Sequence, residues 1–531
     1  MTNLFNKIAK SIGILISAVL IFSCASTKPL AEGEELVKYV KVPDKYENKK
    51  FLTPEELRQE CDMLKYLLYN CYAGIEESME CGLDLDAAIE KIYKESMDKK
   101  DIVKNLISSE DFASVTRQNL ANNMYIEDQH IAINGNHLKD STCVFYSNVY
   151  FEKNDNGEFR VKKVEEEKEK GRLKEKVNVN AGSLYTGNES NLFEMLTDEG
   201  VLYRFGVITK QRIKSAVMNV DGEKISVPVK TEKTIHQKNG WTGLKQTSDT
   251  MYVSLSDCFN FSGLSNQYGN AAEAFKKDLE KIAEAAKGKK NIVFDLRSNT
   301  GGYPEFPTKI LTAAMYNQHR DEEFSKEIMS YLINTVEDGV NLLVSPYIMQ
   351  KRKDAFGKDN ALTIFDEFSD ERKAFYKDYW KSMKRRPVRK FVNASDYKCN
   401  LKELPETDFT GNLYILINSQ TASAAEMGTC AAFLFENTGI NVKLIGENTC
   451  GAIEYISLWT HWLPISGMSL YLPSAAGRSP TLNGIKQFKG EGKGFYPDYW
   501  ATSDTILNTL YLLTGDEELK ETLKGLDKEM L

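Results

Sequence analysis

Residues 418–426 read Asn418-Ser419-Gln420-Thr421-Ala422-Ser423-Ala424-Ala425-Glu426, between the apolar run 413–417 and the small-residue and apolar stretch 427–434. The pattern is a buried strand, a turn of small residues and a helix that opens on a serine. At such a junction the hydroxyl of Ser423 lies at a helix N-terminus, where free backbone N–H groups and the positive dipole end favour developing negative charge. That chemistry suits a nucleophile. It suits a plain helix N-cap equally well, and the segment by itself leaves both open. A histidine base would have to be one of His130, His137, His236, His319 or His461. Beyond Cys24 the cysteines are Cys61, Cys71, Cys81, Cys143, Cys258, Cys399, Cys430 and Cys450. None stands at CxxC or Cys/His spacing, so no zinc site is expected.

Several elements must position that serine. After a tether, residues 51–130 repeat apolar side chains at helical spacing, as in Leu64, Leu67, Leu68, Cys71 and Tyr72, which predicts a helical N-terminal domain. Thr53-Pro54-Glu55-Glu56 reads as its first helix start. Residues 131–249 alternate, carry Gly and Asn turns and a charged run, and predict a β-rich subdomain. Val220-Asp221-Gly222-Glu223 is a hairpin signal within it. Strands at 250–255 and 291–296 flank a helix over 271–287, a βαβ pattern. They open a core over 250–515, interrupted at about 319–406 by a charged, aromatic-rich helical insertion, a lid or a solvated cap. Residues 516–531 form a C-terminal helix or tail. The fold class is α/β in a multidomain α+β arrangement.

The first rows bear on location. Lys7 and Lys10 precede an apolar stretch that ends at Ile21-Phe22-Ser23-Cys24. A basic start, a short apolar region and a small residue before the cleavage point describe a secretory signal over 1–23, and the apolar region is shorter than the roughly 20 residues a membrane span requires. Cys24 resembles the lipidated cysteine of a bacterial lipobox, although Phe22 departs from the usual small residue. An uncleaved anchor and an ordinary secretory signal are the rival readings. Lipidation implies an extracytoplasmic protein, periplasmic or at the cell surface, held to a membrane through Cys24, with 24–50 as its tether. Of 531 residues, 42% are hydrophobic and 27% charged, enough for several cores. A net charge of −8 with no basic stripe argues against nucleic acid.

Four segments then occur in order: Asp295-Leu296-Arg297-Ser298-Asn299-Thr300-Gly301-Gly302, Thr421 to Glu426, Gly446-Glu447-Asn448-Thr449-Cys450-Gly451, and Gly490-Glu491-Gly492-Lys493-Gly494-Phe495-Tyr496-Pro497-Asp498. Together they resemble the C-terminal processing (tail-specific) serine peptidases over roughly residues 250–510. That resemblance implies a ClpP/crotonase-like core, peptide or protein substrates, and no cofactor. It makes Ser423 the nucleophile. The oxyanion donors it implies are the amide of Ala424 and that of Gly301 or Gly302, with Asp295 and Arg297 fixing the turn.

The implied base separates two branches of the family. Ser/Lys members place a lysine directly after G-E-x-T-x-G, where this chain has Ala452. The tricorn-like branch, to which interphotoreceptor retinoid-binding protein is related, uses a histidine in a D-x-H segment, and Asp128-Gln129-His130 is similar to it. The resemblance therefore implies His130 as base and Glu491 as the group that orients it. Gln129 stands where that branch has a serine. His130 as a satisfied histidine, and Glu491 as solvated charge, are the bland alternatives. Residues 144–246 show no clear G-L-G-F-like carboxylate-binding loop, so selectivity for C-terminal tails is not implied. The functional expectation is a lipid-anchored serine peptidase acting through an acyl-enzyme. The alternatives are a carrier lipoprotein with a weak or dead site on the same fold, and an acyl-CoA enzyme of the crotonase kind, which the signal sequence opposes.

Overall fold

The computed structural model describes residues 46–524, apart from 102, 166–167, 170–171, 174–176, 178, 232–241, 259–268, 320, 346, 349–350, 352–388 and 394–398. The signal, Cys24 and most of the tether lie outside the described residues, as does the end of the C-terminal tail.

A six-stranded sheet forms the centre, in the order Thr242–Gln246, Thr250–Leu255, Asn291–Asp295, Asn412–Ile417, Asn441–Gly446 and Tyr499–Trp500. All neighbours pair in parallel except the antiparallel first edge. These strands are apolar on both faces because both faces are covered, as parallel sheets require. Met251, Val253, Ile292, Phe294, Leu413, Ile415, Val442 and Leu444 pack on one side with helices Glu305–Met315 and Ala424–Leu434. Tyr252, Val293, Tyr414, Leu416 and Ile445 face helix Ile506–Thr514 on the other. The period-2 alternation thus splits each strand between two cores.

A second sheet runs Lys390–Asn393, Asn341–Val344, Ser469–Ala476, Ala132–Ile133 and Asn136–His137, and Tyr455–Trp462 pairs along Ser469–Ala476. The N-terminal helices Pro54–Cys71, Leu85–Asp98 and Ser109–Asn123 share a core with this sheet through Ile131, Ile133, Leu343, Tyr455, Leu470 and Leu472. The first helix starts as its sequence predicts: Glu56 N–H donates to Thr53 Oγ1 (3.2 Å), and Thr53 N–H donates to Glu56 Oε2 (2.9 Å).

Two expectations change. The insertion is not helical throughout. After helix Glu322–Val336 it supplies the strands Asn341–Val344 and Lys390–Asn393, because the open edge of the second sheet offers unpaired backbone groups that strands can satisfy. The β-rich region also starts later than 131, since the pairs at 132–133 and 136–137 belong to the second sheet. From Cys143 it forms a four-stranded antiparallel sheet plus the hairpin Ser215–Val220/Glu223–Pro228. Val220 pairs with Glu223, and Asp221 (φ 52°) and Gly222 (φ 81°) make the left-handed two-residue turn. The eight cysteines from Cys61 onward are free thiols. Among the described residues no helix is long and apolar enough to cross a membrane.

Candidate active site

The serine turn, which joins strand Asn412–Ile417 to helix Ala424–Leu434, is clamped to the turn that follows the neighbouring strand Asn291–Asp295. Thr421 Oγ1 donates to Leu296 O (2.9 Å), Ala422 N–H donates to Asn299 O (2.9 Å), and Ser298 N–H donates to Asn418 Oδ1 (2.9 Å). Held this way, Ser423 adopts φ 55°, ψ −122° at the head of helix Ala424–Leu434. Ordinary caps are extended, as Thr53, Asp84 and Ser108 are, with φ between −73° and −88°. A positive φ at a serine costs on the order of 1–3 kcal/mol and persists only where its surroundings enforce it. The same sharp strand-to-helix turn presents a nucleophile in other hydrolases.

The glycine turn lies against this serine. A Cβ on Gly301 (φ 95°) would fall 2.6 Å from Ser423 Cβ and 2.8 Å from Ala424 N. Asp295 and Arg297 brace the turn as a buried pair, with Arg297 Nη2 to Asp295 Oδ2 at 2.8 Å and the Tyr252 hydroxyl donating to Asp295 at 2.6 Å. The Gly301 N–H donates to Asn299 Oδ1 (2.9 Å). It is therefore spent, which removes Gly301 as an oxyanion donor in this conformation. No hydrogen bond among the described residues engages the N–H of Gly302 or of Ala424, so these two amides remain.

His130 follows the loop after helix Ser109–Asn123. Asp128 Oδ1 accepts from His130 N–H (2.7 Å) and Ile131 N–H (3.1 Å), a local turn that fixes the ring's origin. The imidazole is buried (7% exposed), and burial pushes its pKa down to about 4, helped by the nearby His137. It is neutral at pH 7, and its Nδ1 has no hydrogen-bond partner. Glu491 is buried rather than solvated. Its Oε1 accepts from Gln129 N–H (3.2 Å), and its Oε2 accepts from Ile453 N–H (2.9 Å) and Glu454 N–H (2.8 Å). Atoms of Asp128, His130 and Glu491 lie within 4.8 Å of one another. Burial drives the Glu491 carboxyl well above its usual range, and the neighbouring Asp128 charge adds to this.

One chain segment joins the two halves. Cys450 N–H donates to Thr421 O (2.9 Å), Gly451 N–H to Glu426 Oε1 (2.8 Å) and Ala452 N–H to Glu426 Oε2 (2.7 Å). The next two amides, of Ile453 and Glu454, go to Glu491. Glu426 is itself fully buried, accepts from Ser423 N–H (3.1 Å) and from the Thr449 hydroxyl, and has its pKa pushed up to about 6 by burial. Five consecutive amides thus run from the serine side to the histidine side. No hydrogen bond joins Ser423 to His130 directly. Such contacts are often open without substrate.

Asp128, Glu426 and Asn299 escaped assignment from the sequence. A signal existed for two of them: Glu426 stands three residues after Ser423, at capping-box spacing, and Asp128 stands two before His130, at Asx-turn spacing.

Residues 249–486 match the model of peptidase family S41. The chain is similar in outline to the crystal structure of mature CPAF (11% identity, 90% of this chain and 98% of that one, TM-score 0.42). It is also similar to the photosystem II D1 C-terminal processing protease (13%, 87% and 98%, TM-score 0.32) and to the tricorn protease (13%, 90% and 37%, TM-score 0.26). No curated protein matches the chain. The matched segment holds the strained serine and the glycine turn packed on it, and this chain is a serine-type peptidase carrying an S41 peptidase domain over those residues.

Proposed function

We propose that this chain is an extracytoplasmic, lipid-anchored serine peptidase that cleaves proteins or peptides through an acyl-enzyme on Ser423, with His130 as general base. The observation that carries the reading is the left-handed backbone of Ser423 against Gly301, beside two unengaged amides. In the reaction Ser423 Oγ bonds to the scissile carbonyl carbon as His130 takes the hydroxyl proton. The carbonyl oxygen gains the negative charge and lies against the Ala424 and Gly302 amides. His130 then returns the proton to the leaving amine, and a water, deprotonated in the same way, releases the acid. Glu491 holds the base in place and stabilises the imidazolium. Cys24 supplies the membrane anchor.

The lack of a hydrogen bond between Ser423 and His130 favours one second reading, a carrier on the same fold with a weak site. Incubation of the full-length chain with casein and a peptide library, beside Ser423→Ala, separates them. A fluorophosphonate probe adds an independent count of reactive serine. Cleavage and labelling that vanish in Ser423→Ala support the peptidase; neither activity in the wild-type chain, with both proteins folded by circular dichroism, supports the carrier.

A further inference from the structure

The second carboxylate beside His130 has no role in that mechanism. We infer that Asp128 and Glu491 share one proton, carried on Asp128 Oδ2, which leaves Glu491 as the single negative charge beside His130 and makes Asp128 a positioning residue. This rests on the reading of His130 and Glu491 as base and orienter.

The two carboxyl groups lie within 4.8 Å of each other and are 1% and 8% exposed. Two buried like charges that close cannot both ionise without compensation. No lysine or arginine among the described residues forms an ion pair with either. The groups around the pair are His130, neutral through burial; the hydroxyl of Tyr72, fully buried beside Asp128; Tyr455, whose hydroxyl donates to Glu77 (2.7 Å); the Cys450 thiol; Glu454; and the exposed His137. None brings a fixed positive charge.

Backbone donors then place the proton. Five amides serve three of the four carboxylate oxygens: Gln129 on Glu491 Oε1, Ile453 and Glu454 on Glu491 Oε2, and His130 and Ile131 on Asp128 Oδ1. Asp128 Oδ2 receives none of them; its polar neighbour is the buried Tyr72 hydroxyl, which accepts from a protonated oxygen as readily as it donates to an ionised one. An oxygen facing an N–H resists a proton, and a bare oxygen in an apolar setting demands one. Burial raises both carboxyls, Asp128 to about 7 and Glu491 well above its usual range, so the pair holds a proton near neutral pH, and the distribution of amide donors places it on Asp128. The same occupancy leaves a metal ion only Asp128 Oδ2 and His130 Nδ1 as open donors, too few for a structural site. In the transition state the pair then offers one negative charge to one imidazolium.

Carbon-13 NMR of the full-length Ser423→Ala chain, labelled at the aspartate carboxyl carbon, tests this without turnover. Near pH 6, about two units above an ordinary aspartate, one aspartate signal is expected in the protonated range, and it disappears in Asp128→Asn. If that variant fails to fold, displacement of the same signal in Tyr72→Phe identifies it. Full ionisation of every aspartate near pH 6 overturns the inference, whether or not the chain cleaves protein. In the Ser423 background, Asp128→Asn, an isostere of the neutral acid, is expected to remove the inflection near pH 7 from the pH profile of kcat/KM. A loss as large as that of His130→Ala overturns the assignment, and absence of any cleavage in the wild-type chain bears on the peptidase reading alone.

Discussion

Gly301 and Ser423 are packed so that neither can grow: a Cβ on the glycine would sit 2.6 Å from the serine Cβ. The glycine also holds φ 95°, a conformation that strains L side chains. Gly301→Ala should therefore push the serine turn, with the Ala424 amide, away from the Gly302 amide. The expected result is a loss of about 10²-fold or more in kcat, the scale of removing one oxyanion donor, with KM little changed. Steady-state kinetics on one peptide substrate check it.

Ser423 stores strain for its position, and glycine at that place releases it. Ser423→Gly should abolish turnover yet raise stability by about 1 kcal/mol relative to Ser423→Ala, which keeps the positive φ with a Cβ. Urea denaturation of the two variants gives the comparison. An alanine variant as stable as the glycine one would mean that the turn is unstrained.

How far the site could be seen in the sequence follows from where its parts lie. The serine and glycine turns were legible because strand, small-residue turn and helix each leave a local pattern. The hairpin at Asp221-Gly222 was legible for the same reason. The burial of Glu491 was not, since its Gly/Lys-rich surroundings read as solvent-facing, and only amides 37 to 362 positions away remove it from water. The strands at 341–344 and 390–393 were hidden too, because an edge strand is specified by the sheet it joins. The Gly301 amide was excluded by Asn299, a contact that depends on side-chain direction rather than residue type.

His130 sets the acid behaviour of the protein in two ways. Its folded pKa is pushed down to about 4 by burial, below the ordinary value of about 6.5. The acid limb of kcat/KM is therefore expected near pH 4 rather than near pH 6.5. Between those values the unfolded chain binds a proton at this histidine and the folded chain does not, so its contribution to stability falls as pH drops through that window. His130→Gln should lose turnover and gain melting temperature relative to the wild-type chain at about pH 5, with less gain at pH 7. An equal change at both pH values would mean that His130 is not buried neutral.

Glu426 is the residue through which the serine helix grips the connecting segment, and an isosteric change isolates that role. Its two oxygens accept from four donors: Ser423 N–H and Ala452 N–H on one, Gly451 N–H and the Thr449 hydroxyl on the other. In Glu426→Gln the NH2 group must face one of those pairs, donor against donor, with no water to intervene because the site is fully buried. Leaving a buried donor without an acceptor costs about 1–3 kcal/mol, so the variant should lose roughly 2–5 kcal/mol of stability. The turn that carries Ile453 and Glu454 to Glu491 would loosen at the same time. Turnover should consequently fall even in protein that remains folded, and the fall should appear in kcat more than in KM. Thermal melts and kinetics on the same preparation test both. A variant with wild-type melting and wild-type kcat would show that Glu426 carries neither load, and that the serine turn is held by its strand contacts alone.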